Sequence, residues 1–309
     1  MGGPAPERPD RPGRDRVRPG AQPRVRRRAG GAGPVPPRRA RTGLGFAAPQ
    51  YTALAENLAS NGYLVAGVTP TYSANLTVLN GQTRSATEAG NPKSFDSADL
   101  HAGQAQADGD RLVGVWAADD RFAAAQLAAL DTAGRFAGHV DAAKTVYLGH
   151  SFGGAAALEA CRTDPRCAGA ADLDGTQYGA VVHSGLGKPM LLIAGGNSCV
   201  TGTCRPQSAD DKSSLATARA LLSAGTGPAW CYQLDGAEHF DFSDYGAYYF
   251  AAPLRSQLAL GPIDGDTALT VTGAYLTAFA DHVTRGGPET LLDDPRSPYP
   301  GIEVQRTGH

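Results

Sequence analysis

A serine with the surroundings of a nucleophile, Ser151, lies in the segment 149–154, which reads Gly-His-Ser-Phe-Gly-Gly. The apolar residues 145–148 predict a strand before it, and the alanine-rich residues 155–160 predict a helix after it. Glycines two positions before and after the serine permit a sharp turn that exposes its hydroxyl. The positive end of the helix would then face a developing oxyanion. A surface turn with a capping serine is the alternative.

A serine hydroxyl needs a histidine to accept its proton and a carboxylate to orient that histidine. His239 is the expected base, because it follows the predicted strand 229–234 in a short loop at the carboxyl end of the sheet. His183 precedes a strand, His282 lies inside the last predicted helix, and His309 is the last residue. A loop histidine without chemistry is the alternative.

Asp174 is the expected acid, because it directly follows the predicted strand 168–173. Asp172 is the alternative, with the same side-chain parity but a deeper position in the sheet. The next strand, 189–194, runs into Asn197 without a carboxylate. The resulting chain order of serine, acid and histidine is typical of α/β enzymes with a serine at such a turn.

Two backbone N–H groups are expected to bind the oxyanion. One belongs to Phe152, which follows the serine. The other is assigned to Leu44, because the Gly-Leu-Gly sequence at 43–45 allows close backbone approach. A glycine-rich connector is the alternative for the 43–45 loop. This chemistry implies no metal ion and no organic cofactor.

Helices and strands alternate from residue 43 onward, which predicts an α/β fold with a mostly parallel sheet and helices on both faces. Such sheets carry functional groups beyond the carboxyl ends of their strands, where Ser151 is placed. Residues 71–97 are expected to form a long loop, and the helical residues 98–133 to break near Gly109. The remaining predicted elements are strands 63–68 and 144–149 and helices 49–61, 152–162, 213–223 and 268–283.

Residues 1–42 hold 12 of the 28 basic residues and three acidic ones. The rest of the chain has 16 basic and 27 acidic residues, a net charge of −11, and is not expected to bind nucleic acid. Residues 1–42 are rich in proline and glycine, so we expect disorder. A basic binding arm is one alternative. An artefact, from a wrong start site or a shifted reading frame, is another and is favoured.

Two cysteine pairs, Cys161 with Cys167 and Cys199 with Cys204, are close enough in sequence to form disulfide loops, which would leave Cys231 free. Other pairings and isolated buried thiols are alternatives. The spacing does not favour zinc. Disulfides would indicate an oxidising compartment and so a secreted protein, although no signal peptide can be identified. No apolar run of 18 residues predicts a membrane span.

The motifs resemble the plasma-type platelet-activating-factor acetylhydrolases, within the wider α/β-hydrolases that include bacterial cutinase-like and polyester hydrolases. The resemblance covers residues 43–285 and rests on the segments 43–45, 51–65, 149–154, 173–174 and 239–244. The early acid, Asp174, matches the acetylhydrolases, whereas cutinase-like enzymes carry it one strand later, at the position of Asn197.

The resemblance implies an α/β-hydrolase fold and cleavage of carboxylic esters through an acyl-serine, with short-acyl lipid or polymeric polyester substrates. Thioesterase or amidase activity would use the same groups. The expected organisation is a disordered segment 1–42, a hydrolase domain 43–290 and a tail 291–309. Aromatic residues after the base are expected to line an apolar cleft or to pack a lid-like helix: Phe240, Phe242, Tyr245, Tyr248, Tyr249 and Phe250.

The resemblance has one departure, at the start of the hydrolase domain. Related enzymes carry about three strands before the 43–45 loop, but the prolines and arginines of residues 29–42 disfavour a strand. We therefore expect the N-terminal strands to be missing or replaced, leaving a gap in the sheet, low stability and low activity. A non-catalytic truncated hydrolase-like domain with a basic N-terminal arm is the alternative function.

Overall fold

The computed structural model describes residues 37–41, 43–95, 102–248 and 250–308. Its strands are β1 (Pro37–Arg41), β2 (Leu64–Val68), β3 (Leu76–Leu79), β4 (Gln82–Ser85), β5 (Thr145–His150), β6 (Cys167–Leu173), β7 (Met190–Gly195), β8 (Ala229–Leu234) and β9 (Ile302–Arg306). Its α-helices are α1 (Thr52–Ser60), α2 (Ala102–Ala129), α3 (Phe152–Thr163), α4 (Val181–Ser184), α5 (Ala209–Ala224), α6 (Ala252–Gln257) and α7 (Gly265–Arg285). The expectations for residues 1–36, residue 42, residues 96–101, Tyr249 and His309 concern residues outside the described ranges.

The central sheet has seven strands in the order β2-β1-β5-β6-β7-β8-β9, and the pairs from β2 to β8 are parallel. Successive residues of a strand face opposite sides. In β5, Val146 and Leu148 join a core with α1 and α7, whereas Tyr147 joins a core with α2, α3 and α5. Helices therefore cover both faces, as predicted.

Strand β1 contradicts the expectation that residues 29–42 hold no strand. It pairs in parallel with both β2 and β5, with Pro37 opposite Leu64 and Arg41 opposite Gly149. A proline is tolerated here because Pro37 is the first residue of the strand, and the ladder uses backbone groups whatever the side chains. The expected gap beside β5 is absent, so the prediction of low stability loses its structural basis.

The described part of the expected loop 71–97, residues 71–95, contains more secondary structure than its polar composition predicts. Strands β3 and β4 pair as an antiparallel hairpin whose turn is Asn80-Gly81, with φ angles of 53° and 73°. Two central residues with positive φ are what a type I′ hairpin turn requires. The Asn-Gly pair is the feature of the sequence from which this hairpin could have been predicted.

Helix α2 runs without interruption through Gly109, so the predicted break is wrong. A Cβ atom at Gly109 would lie 2.3 Å from the ring of Tyr178. The glycine therefore lets the Tyr178 ring pack directly against the helix backbone and does not bend the helix. At the other end of the chain, β9 adds an antiparallel strand beside β8, within the segment 291–309 expected to form a tail.

Disulfides join Cys161 to Cys167 and Cys199 to Cys204, which selects one of the pairings left open by the sequence. Cys231 is a buried free thiol. The first bridge ties the end of α3 to the start of β6. Within the described part of the chain, no helix is both long and apolar enough to cross a membrane.

Candidate active site

Ser151 occupies a strained turn between β5 and α3. Its backbone has φ 57° and ψ −132°, a region that residues with a Cβ rarely adopt. The flanking glycines make the turn possible. A Cβ at Gly149 would lie 2.2 Å from the backbone of Gly153, so any side chain there would force the strand and helix apart. The Ser151 hydroxyl is thus presented at the N-terminus of α3.

His239 and Asp174 form a hydrogen-bonded pair at the same edge of the sheet. Asp174 follows β6, and His239 begins a short 3₁₀ helix after β8. Nδ1 of His239 lies 2.7 Å from Oδ2 of Asp174. The other carboxylate oxygen of Asp174 accepts the N–H of Gly195 at 2.9 Å, which fixes the carboxylate in place.

The charge state of this pair follows from its contacts. Burial would raise the pKa of Asp174, but the hydrogen bond and charge interaction with His239, together with hydrogen bonds from Gly195 and Ser198, outweigh burial and lower the pKa to about 2. Asp174 is therefore ionised at neutral pH and accepts the Nδ1 proton of the imidazole. Nε2 of a neutral His239 is then left with a lone pair that can accept a proton.

Asp172, the alternative acid, does not reach His239. Its carboxylate is buried and accepts the Gly175 N–H at 3.0 Å and the Gln177 amide at 3.2 Å. A Cβ at Gly154 would lie 1.8 Å from Oδ1 of Asp172, so the carboxyl group packs directly beneath the serine turn. The structure thus selects Asp174 as the partner of the histidine.

A cavity of about 260 Å³ brings the expected site residues together. Ser151, Asp174 and His239 line it, and so do Leu44 and Phe152, the residues expected to bind the oxyanion. The cavity also has an aromatic wall that no sequence signal had indicated. Phe95 and Tyr178 line this wall with Phe152, at ring-centroid distances of 5.9 Å and 5.5 Å from Phe152.

The aromatic residues after His239 pack elsewhere. Phe242 is fully buried in the core shared with α1 and α7. Phe240 and Tyr245 surround Phe46, with ring centroids 4.9 Å and 5.3 Å away from it. The described members of this cluster do not line the cavity, which favours the packing alternative. Within the described residues, no group of three or more histidine, cysteine, aspartate or glutamate side chains could hold a metal ion.

The chain is similar to known proteins both in sequence and in structure. No family model matches the chain. The chain is 29% identical over 167 residues to an Arthroderma benhamiae protein named "Probable 1-alkyl-2-acetylglycerophosphocholine esterase". That match covers 50% of this chain and 41% of the relative, so the chain spans less than half of the relative's length.

The second similarity is to a solved structure, a ferulic acid esterase from Streptomyces cinnamoneus. The TM-score is 0.69 at 29% sequence identity, covering 88% of this chain and 74% of that chain. Both proteins are named as esterases, and the comparisons confirm the fold and the resemblance predicted from the sequence. The chain has the α/β-hydrolase fold and is similar, in sequence and in structure, to esterases.

Proposed function

We propose that this chain is a serine hydrolase that cleaves carboxylic esters through an acyl-serine intermediate. One observation carries the proposal: the strained Ser151 and the hydrogen-bonded pair of His239 and Asp174 line one cavity. The similarity to two proteins named as esterases supports the same reaction class.

In the proposed reaction, Ser151 Oγ attacks the ester carbonyl while Nε2 of His239 accepts the hydroxyl proton. The N–H groups of Phe152 and Leu44 stabilise the negative oxygen of the tetrahedral intermediate. His239 then protonates the leaving alcohol, and the acyl group stays on the serine. Water, activated by His239, releases the acid. Asp174 keeps the imidazole oriented and stabilises its charged form throughout.

We propose compact acyl groups as substrates. A volume of about 260 Å³ lies just below the lower end of the roughly 300–1,000 Å³ range of sites that hold drug-sized ligands. The wall formed by Phe95, Phe152 and Tyr178 provides an apolar contact for a short aliphatic or aromatic acyl group. The alcohol part of a short-acyl lipid or of a polyester would extend out of the cavity.

We further propose that the protein works in an oxidising compartment, as a secreted enzyme. The support is the pair of disulfides, Cys161 to Cys167 and Cys199 to Cys204, each of which closes a short loop. Bridges of this kind persist outside the reducing cytosol. The proposed partners are small or polymeric esters.

A fluorophosphonate probe tests the reaction class. The folded wild-type chain should be labelled, Ser151→Ala should not, and Ser60→Ala, at an exposed serine ending α1, should be labelled like wild type. For p-nitrophenyl esters, kcat/KM should be highest for acetate or butyrate and fall at least 10-fold by palmitate. Methyl ferulate tests an aromatic acyl group. A folded chain without labelling would refute the enzyme and favour a non-catalytic domain.

A further inference from the structure

A buried row of hydrogen bonds connects the 43–45 loop with the backbone of His239. The Gly43 N–H donates to the Tyr51 hydroxyl at 2.9 Å, and that hydroxyl lies 2.8 Å from Nδ1 of His150. Nε2 of His150 lies 2.7 Å from the main-chain carbonyl oxygen of His239. Tyr51 is 3% exposed and His150 is 1% exposed. Neither side chain is among those lining the cavity.

The direction of each hydrogen bond follows from the groups involved. A carbonyl oxygen can only accept, so Nε2 of His150 carries a proton. A neutral imidazole then accepts at Nδ1, and the Tyr51 hydroxyl must donate to it. The tyrosine oxygen in turn accepts the Gly43 N–H. Each polar group therefore has one defined role, and reversing one bond would break the next.

The surroundings keep this arrangement in its neutral form. Burial lowers the pKa of His150 to about 3, with the positive charge on a protonated His239 acting in the same direction. The two imidazole rings lie 4.5 Å apart, centroid to centroid. The negative charge of Asp174 opposes the shift without cancelling it. His150 therefore remains a donor at Nε2 across the pH range in which His239 would work as a base.

We propose that Tyr51 and His150 are positioning residues that hold the oxyanion loop and the catalytic base in one fixed geometry. This inference rests on the proposed function. Gly43 directly precedes Leu44, whose N–H is assigned to the oxyanion. The other end of the loop is held separately, since the Gly45 N–H donates to the Ser73 carbonyl at 3.2 Å.

The space around Gly43 supports the same role. A Cβ at Gly43 would lie 3.2 Å from both Nδ1 of His150 and Cβ of Ser151. The 43–45 loop therefore packs closely against His150 and Ser151. A displacement of the order of 1 Å in a reacting group is enough to lower a rate about 100-fold. Removing the hydrogen-bonded link should thus act on turnover more than on substrate binding.

The decisive variant is Tyr51→Phe, which keeps the ring and removes the hydroxyl. We expect kcat for p-nitrophenyl butyrate to fall about 10- to 100-fold with KM within twofold of wild type. The matched control is Tyr147→Phe, which removes another buried hydroxyl, bonded to Asp164 Oδ2 at 2.6 Å. That hydroxyl is not part of the row, so the control should lose thermal stability and keep its kcat.

Two replacements of His150 separate its contacts. The amide of His150→Gln can reach the Nε2 position and still donate to the His239 carbonyl, whereas His150→Asn reaches only the Nδ1 position. We expect the glutamine variant to retain more kcat than the asparagine variant. Because Tyr51 and His150 act as one unit, Tyr51→Phe combined with His150→Asn should lose no more kcat than the worse single variant.

The outcomes distinguish this inference from the proposed function. Wild-type protein without turnover or probe labelling would refute the esterase and the positioning role together. An active wild type with unchanged kcat in Tyr51→Phe, or with equal losses in Tyr51→Phe and Tyr147→Phe, would overturn the positioning role alone. Nitrogen NMR should show one imidazole that stays in the Nε2–H form from pH 5 to pH 7. A titrating His150 would also overturn it.

Discussion

Replacing Ser151 with glycine should stabilise the fold while removing the proposed nucleophile. The serine backbone, at φ 57° and ψ −132°, lies where a residue with a Cβ is strained by roughly 1–3 kcal/mol. Glycine relieves that strain but loses roughly 0.5–1 kcal/mol more conformational free energy on folding. Ser151→Ala keeps the Cβ and the strain. We therefore expect Ser151→Gly to be about 1 kcal/mol more stable than Ser151→Ala.

Urea unfolding and thermal melting of the two variants measure this difference. In a domain of this size, 1 kcal/mol corresponds to a shift in Tm of roughly 2–4 °C. Ala118→Gly, at an exposed position within α2, calibrates the destabilisation that glycine causes without strain relief, about 1 kcal/mol. A glycine variant that melts at or below the alanine variant would show that any strain in the serine turn is no larger than the cost of glycine measured by Ala118→Gly, and would refute the expected stabilisation.

Asp174→Asn should lower kcat on the order of 10³- to 10⁴-fold in ester hydrolysis, because an amide cannot stabilise a charged His239; an unchanged kcat would exclude Asp174 as the acid. His150→Gln should flatten the dependence of stability on pH. The pKa of buried His150 is lowered to about 3, so between that pH and the unfolded pKa of about 6.5 the residue gains a proton only on unfolding. Within this window the free energy of unfolding of the wild type should fall by about 1.4 kcal/mol for each pH unit of acidification, a loss that the variant lacks. Gly154→Ala should abolish folding or activity, since its methyl group would lie 1.8 Å from Asp172 Oδ1; wild-type melting and turnover would contradict the described turn.

The parts of the site that the sequence predicted are those with local signals. Ser151 has a strand, glycines and a helix within ten residues, and Asp174 and His239 follow apolar strands whose carboxyl ends meet at one edge of the sheet. The structure brings these three residues together, and their catalytic roles stay predictions.

Features without such local signals were missed. Strand β1 was not predicted because arginine and proline residues disfavour a strand in sequence analysis. Its extended form depends on pairing with β2 on one side and β5 on the other. Tyr51 and His150 are 99 positions apart in the sequence, so no local hydrophobic pattern predicts their hydrogen bond. The aromatic wall could not be predicted either, because Phe95 and Tyr178 come from two separate connecting segments that only the fold brings together.

The aromatic wall and the proposed reacting groups lie on different parts of the fold. Phe95 ends the 3₁₀ helix Lys93–Phe95, and Tyr178 lies between β6 and α4, so both belong to connecting segments rather than to the sheet. The proposed nucleophile and acid directly follow β5 and β6, and the proposed base lies in the short loop after β8. Side chains that would select the acyl group can therefore be exchanged without moving the reacting groups. A library restricted to positions 95 and 178 should alter acyl preference while retaining turnover, which makes this wall the place to redesign selectivity.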